Sequence, residues 1–263
     1  MVIIRTQTVA DQESRQEKLL IARMLRKTYQ GASSPALEDF DISIGTGEIF
    51  GLLGPNGAGK TTAISIMSSL FRPDSGRVTI CGVDILKYPN QARKLFGLVP
   101  QDIALYPNLT VRENLSYFGR LYGLKGDRLK HRVRECLEFV GLEEKADKRV
   151  FTCSGGMKRR ANLAAGIVHK PRILFLDEPT VGIDAQSRNM ILEKLSVLKQ
   201  SGTSMIYTTH YMEEAQSLCS RIAVIDQGRI IAQGLPNELI EQHPGCRDLG
   251  DLFLKLTGKQ FRD

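Results

Sequence analysis

Gly54-Pro55-Asn56-Gly57-Ala58-Gly59-Lys60-Thr61 fits the pattern GxxxxGK[ST] in the context that makes it informative, after an apolar run and at the opening of a helical segment. The run is Ile49, Phe50, Leu52 and Leu53, a buried type of strand. The helical segment covers 60–70, and the turn Pro73-Asp74-Ser75-Gly76 stops it. Glycines let backbone N–H groups converge on phosphate oxygens, and a helix N-terminus adds positive potential. Lys60 can then reach the β- and γ-phosphates, and the Thr61 hydroxyl can ligand Mg²⁺. The stretch implies a nucleoside triphosphate. It leaves the reaction open, because kinases, GTPases and motors share it.

A second stretch, Ile173-Leu174-Phe175-Leu176-Asp177-Glu178, is four apolar residues followed by two carboxylates. A buried strand ending in acid suits Asp177 to orient Mg²⁺ through water, and Glu178 to polarise or deprotonate an attacking water. Alone it could equally be a strand that ends in a polar turn; the phosphate cradle upstream favours the catalytic reading.

Residues 1–18 are polar and without clear periodicity, and read as a poorly ordered leader. Over 19–49, short apolar alternations broken by Gly31, Pro35, Gly45 and Gly47 read as strands joined by turns. The middle, 107–170, is helix-rich, with Val133, Cys136, Leu137 and Val140 forming one apolar stripe. Ile191, Leu195 and Leu198 recur at helical spacing with Gly202 as a stop, and 205–208 and 221–225 read as further strands. Strands alternating with helices imply an α/β core with a largely parallel sheet.

With 263 residues, 42% of them hydrophobic, the chain can bury a core, which excludes a disordered chain. No apolar run approaches the roughly 20 residues of a membrane-spanning helix. No apolar stretch follows the N-terminal MVII, so a secretory signal is not expected. Cys81, Cys136, Cys153, Cys219 and Cys246 are scattered and form no CxxC, which argues against a zinc ribbon or a disulfide framework and for a reducing compartment. The net charge is +7, with basic groups at 125–134 and 158–160. Solvated helix faces account for these; an anionic membrane surface or nucleic acid nearby would also suit them.

Ser154-Gly155-Gly156-Met157-Lys158-Arg159-Arg160 shortly before the acidic strand, and His210 after the strand at 205–208, decide the family. With Tyr29, Gln101 and Asp184 in this order, the chain over 19–234 resembles the nucleotide-binding subunit of ABC transporters. The resemblance implies a P-loop NTPase core with a mostly parallel sheet, an N-terminal antiparallel β subdomain and an inserted helical subdomain over about 107–168. It implies an ATPase domain over 19–240 and a C-terminal helical tail over 241–263, with ATP and Mg²⁺ as ligands. Tyr29 then matches the aromatic that stacks on adenine, and Gly54, Pro55, Asn56, Gly57, Ala58, Gly59, Lys60, Thr61 and Thr62 the phosphate cradle. Gln101 matches the glutamine that senses Mg²⁺ and the attacking water, where the transport subunit docks. Ser154, Gly155 and Gly156 match the signature that caps the γ-phosphate of a second subunit's ATP, although a simple capped turn would use the same residues. Asp184 matches the aspartate of the dimer-contacting loop and would also serve as a helix cap. His210 matches the switch histidine that donates to the γ-phosphate. Cys153 and Met157 depart from the leucine and glutamine common at their positions, but supply no phosphate-binding atoms. SGGMKRR, LTVRENL and LYGL resemble the drug- and lipid-exporter branch.

The resemblance therefore implies a homodimer that sandwiches ATP, related by a two-fold axis. It implies separate membrane-spanning subunits and a peripheral location on the cytoplasmic face of the membrane. The segment 101–121 is the expected docking surface, with Arg112 and Glu113 as its charges. The competing class is an ABC-type ATPase acting on nucleic acid or ribosomes. Against it, the interval 62–154 is too short for a long coiled coil, zinc-ligand cysteine pairs are lacking, and there is one cassette, so direct nucleic-acid binding is not expected. A P-loop kinase or GTPase would leave SGGMKRR without a role.

Overall fold

The computed structural model describes residues 18–258. The expected leader lies outside the described residues except for Lys18, which opens β1 (Lys18–Lys27). β2 (Leu37–Gly45) pairs antiparallel with β1, and β3 (Ile49–Leu53) then leads through the glycine-rich stretch into α1 (Lys60–Met67). β4 (Ser75–Ile80) returns antiparallel to β1 and β5 (Val83–Asp84) to β4, completing a sheet ordered β2-β1-β4-β5. α2 (Pro89–Ala92) precedes β6 (Phe96–Val99). Three helices follow, α3 (Val111–Leu121), α4 (Gly126–Val140) and α5 (Gly155–Ile167). Then come β7 (Ile173–Asp177), α6 (Ala185–Gln200), β8 (Ser204–Thr209), α7 (Met212–Leu218), β9 (Arg221–Asp226) and β10 (Arg229–Gly234). The chain continues through α8 (Pro236–Glu241) and α9 (Leu249–Thr257); 259–263 lie outside the described residues.

The second sheet is ordered β10-β9-β3-β8-β7-β6, parallel throughout except for β10 against β9. The expected α/β core, antiparallel N-terminal sheet and inserted helices are all present. β7 shows why the parallel sheet is buried on both faces. Ile173 and Phe175 join one apolar cluster with the N-terminal sheet, while Leu174 and Leu176 join the other with the helices. Each such fully buried side chain contributes roughly 1.5–3 kcal/mol before chain entropy is counted. Where α5 crosses β6 the backbones nearly touch, since a Cβ on Gly97 would lie 2.1 Å from the Gly166 carbonyl oxygen.

Two sequence boundaries move. The helix expected over 60–70 ends at Met67, because Ser69 adopts a positive φ of 56° and the Ser65 carbonyl accepts from both Leu70 and Phe71. Ser75 and Gly76, read as part of a turn, open β4; Gly76, at φ 92°, passes within 2.4 Å of the Met24 carbonyl measured from where its Cβ would stand. β6, only four residues long, was not anticipated.

Candidate functional site

β3 delivers the chain into the loop 54–59 between two fixed walls. A Cβ on Gly54 would stand 2.4 Å from the Ile225 carbonyl oxygen, and one on Gly59, at φ 109°, would stand 2.4 Å from that of Ala36. α1 then begins with no side-chain cap and no acidic residue in its first turn. Its leading N–H groups have no carbonyl one turn behind them, so the loop mouth is left for an anion. Lys60 is buried and folds back, its Nζ donating to the carbonyls of Gly54 at 2.8 Å and Pro55 at 3.2 Å. It also pairs with Glu178 Oε1 at 3.8 Å. Burial pushes the ammonium below its ordinary range against the opposing pull of Glu178 and Asp177.

Asp177 ends β7 and accepts from Thr208 Oγ1 at 2.7 Å; burial raises it above the usual carboxylate range, with the Thr208 and Thr61 hydroxyls opposing. Glu178 follows at a positive φ of 46°, its N–H donating to Thr208 Oγ1 at 2.9 Å. A non-glycine residue in this region carries strain of about 1 kcal/mol or more, the kind of conformation that clusters where a side chain must be aimed. His210 Nδ1 lies 3.2 Å from Glu178 Oε2. Lysine, two carboxylates, threonine and histidine thus converge at the ends of β3, β7 and β8. No three of His, Cys, Asp and Glu form a metal cage among the described residues. Magnesium needs only one or two protein oxygens beside water and phosphate. Thr61, exposed and bonded to Asp177, completes such a pair of oxygens.

Tyr29 stands at the edge of the cradle. Its hydroxyl meets Thr62 Oγ1 at 3.2 Å, and its half-exposed ring lies edge-on to Phe71. Gln101 is exposed two residues beyond Val99, whose parallel partner Leu176 lies two residues before Glu178. Its carbonyl accepts from the Arg159 guanidinium.

Ser154, Gly155 and Gly156 lie elsewhere. Ser154 Oγ caps α5 by accepting from the Met157 N–H at 3.3 Å. A Cβ on Gly156 would stand 2.1 Å from Ser187 Oγ, and one on Gly155 would be 3.8 Å from the Gly182 carbonyl oxygen. The turn therefore packs on the loop led by Asp184, which caps α6 through the Ser187 N–H at 2.8 Å. The cradle instead packs against Ala36, Leu37 and Ile225, with Tyr29, Asp177 and Glu178 at its mouth. Two uncapped-by-acid helix starts, α1 and α5, thus face different surroundings in one chain. Cys153 and Met157 turn into the apolar core, consistent with a packing role.

Three features escaped the sequence reading. Arg159, placed in a solvated basic run, is half-buried and donates to the Val181 carbonyl at 3.1 Å as well as to Gln101. Arg160 likewise turns inward, onto the carbonyls of Val140 at 2.7 Å and Gly141 at 2.8 Å. Glu214, in the polar-looking string MEEA, is buried and gathers hydroxyls from three directions. Only a fully apolar neighbourhood in the sequence would have signalled burial, and these residues lack one.

The ABC transporter family profile matches residues 37–181. The linearmycin resistance ATP-binding protein LnrL of Bacillus subtilis is 48% identical over 240 residues, 91% of this chain and 75% of that protein. Nod factor export ATP-binding protein I of Ralstonia nicotianae is 44% identical over 228 residues, covering 87% and 70% of the two chains. A solved ATP-binding subunit of an ABC transporter superposes with a TM-score of 0.83 at 28% identity, over 91% of this chain and 99% of that one. A dimeric ATP-binding cassette in a post-hydrolysis state bound to ADP and Pi gives a TM-score of 0.76 at 26% identity, over 82% and 98%.

Proposed function

The chain belongs to the ABC transporter family as an ATP-binding, ATP-hydrolysing subunit, and from that premise we propose that two copies clasp ATP and magnesium between them to energise an exporter. The observation that carries this reading is the position of Lys60. Its ammonium is held at the mouth of an uncapped helix, against its own loop's carbonyls and 3.8 Å from Glu178. A buried cation so placed is matched to a triphosphate's outer oxygens.

The residues divide the chemistry. N–H groups of 57–62 and Lys60 bind the phosphates, and Tyr29 offers its exposed ring to the base. Glu178 polarises the attacking water, and His210, 3.2 Å from it, orients that carboxylate and donates toward the γ-phosphate, with ADP as the leaving group. Thr61 and Asp177 would hold the magnesium ion, with Gln101 beside it. When bound, the ion neutralises charge across the β- and γ-phosphates. Ser154 and the N–H groups of Gly155 and Gly156 close over the ATP of the opposite copy; in its own chain the turn packs on residues 182–187.

No helix among the described residues is long and apolar enough to cross a membrane; membership of the family supports separate membrane subunits as the transport path. Tyr106 and Tyr117, half-exposed with rings 4.9 Å apart, and Phe151, 53% exposed, form the docking patch on the helical subdomain. On this reading the chain works at the cytoplasmic face of the membrane. Export as the direction follows the names of the relatives. Of the docking charges suggested by sequence, Arg112 pairs with Asp147 at 2.8 Å and Glu113 closes a capping box with Thr110. Both are held within the subunit, so the aromatic patch is the better target. Phosphate release by Lys60→Ala tests the proposal. A loss of at least about a hundredfold is expected, and hydrolysis at the parent's rate would overturn it.

A further inference from the structure

Glu178 and His210 hang from neighbouring strands whose pairing stops at Asp177 and Thr208. Beyond that point only the Glu178 N–H still ties the first loop to Thr208, yet the two side chains stand 3.2 Å apart. We propose that Glu214, on α7, is the positioning residue that holds them in register; this rests on the ATPase reading above.

Glu214 is 5% exposed. Its Oε2 accepts from Thr180 Oγ1 at 3.0 Å, Thr209 Oγ1 at 2.9 Å and Tyr207 Oη at 2.5 Å. Thr180 lies two residues past Glu178, and Thr209 immediately precedes His210. One buried oxygen thus straps both loops to a single point. Its Oε1 takes no hydrogen bond and meets Arg188 Nε only as an ion pair at 3.5 Å, so the hydroxyls on Oε2 carry the strap. Arg188 comes from α6, the helix capped by Asp184, and its guanidinium lies 4.1 Å over the Tyr211 ring, whose centroid is 4.2 Å from that of His210. A buried carboxylate is tolerated only when its oxygens are matched by donors, so shifting any one strap disturbs the others. The loop after β7, the loop after β8 and the first turn of α6 therefore share one anchor, and the catalytic carboxylate and histidine move as a unit.

Thr180→Val and Thr209→Val each remove one hydroxyl with little change of shape and leave the Glu214–Arg188 pair in place. Each is expected to lower kcat about tenfold with KM for ATP within about twofold, and the double variant to lose about as much as either single, because both release one shared alignment. Glu214→Ala should lose at least as much, but it leaves the Arg188 guanidinium without its carboxylate, so the threonine variants decide the matter. Melting temperature and the affinity for a fluorescent ATP analogue, measured alongside, should stay near the parent's. Threonine variants within about twofold of the parent kcat, or losses that multiply in the double variant to about a hundredfold, or losses that track melting, would each overturn the proposal. Lys60→Ala in the same assay separates the two readings. If it is inactive while the threonine variants turn over normally, the anchor fails alone; if it hydrolyses ATP at the parent's rate, the ATPase assignment fails.

Discussion

Replacing Gly59 by alanine tests whether the cradle's shape is set by backbone approach. Gly59 sits at φ 109°, and a Cβ there would lie 2.4 Å from the Ala36 carbonyl oxygen and 3.0 Å from Leu37 Cδ2. The backbone conformation alone penalises an L side chain by roughly 1–2 kcal/mol. Relieving the contact with Ala36 requires moving either the start of β2 or the loop itself, adding about as much again. The total, about 3 kcal/mol, divides between folding and binding. If the loop holds its shape, the melting temperature falls by about 6–12 °C, using roughly 2–4 °C per kcal/mol for a chain of this size. If the loop yields, ATP binding weakens by about a hundredfold, at roughly 1.4 kcal/mol per tenfold. Gly57→Ala is the control: φ is 80°, but nothing lies within 4 Å of its Cβ, so only the conformational penalty applies. Thermal melts with and without ATP, together with titration calorimetry, measure both components. A Gly59→Ala protein that melts and binds as the parent does, or a Gly57→Ala protein damaged as severely, would refute the reasoning.

Two further outcomes follow from burial. His169 stacks on Tyr122 with ring centroids 3.6 Å apart, and burial holds its imidazole down to about 4, against an ordinary 6.5. The unfolded chain therefore binds the proton first as pH falls, so stability is full above 6.5 and drains as pH drops toward 4. Urea midpoints at pH 7 and pH 5 should differ by an amount that includes about 2 kcal/mol from this group, and His169→Gln should remove that part; an unchanged slope would contradict it. Burial also pushes the Cys219 thiol up to about 12, while Cys81 is exposed. Alkylation of the native protein followed by mass mapping should modify Cys81 first and leave Cys219 untouched until denaturant is added.

The parts of the site that sequence disclosed are those written as local chemistry. GPNGAGKT carries strand, turn and helix within one short window, and the helix caps Ser154 and Asp184 declare themselves by residue type ahead of a helical pattern. The two carboxylates were readable because four apolar residues precede them. What stayed hidden depends on distant partners. β6, Phe-Gly-Leu-Val, is too short to show periodicity and becomes a strand only by pairing with β7. Arg159 and Arg160 look like surface charge until α5 turns them onto carbonyls of other segments. Glu214 reads as one more acid on a polar helix; its burial is set by Thr180 and Tyr207, 34 and seven residues away. The end of α1 at Met67 was misplaced because Ser69 takes a left-handed conformation that no sequence rule reserves for serine.

The central claim is that the Ser154 turn of one copy closes on the ATP held by the cradle of another. Sedimentation of Glu178→Gln with ATP and magnesium, beside the same protein carrying Ser154→Asp, examines it most directly. Aspartate preserves the cap of α5 but sets a negative charge against phosphate. The account predicts dimers for Glu178→Gln and ATP-bound monomers for the double variant; monomers for the first at every concentration, or equal dimers for both, would contradict it.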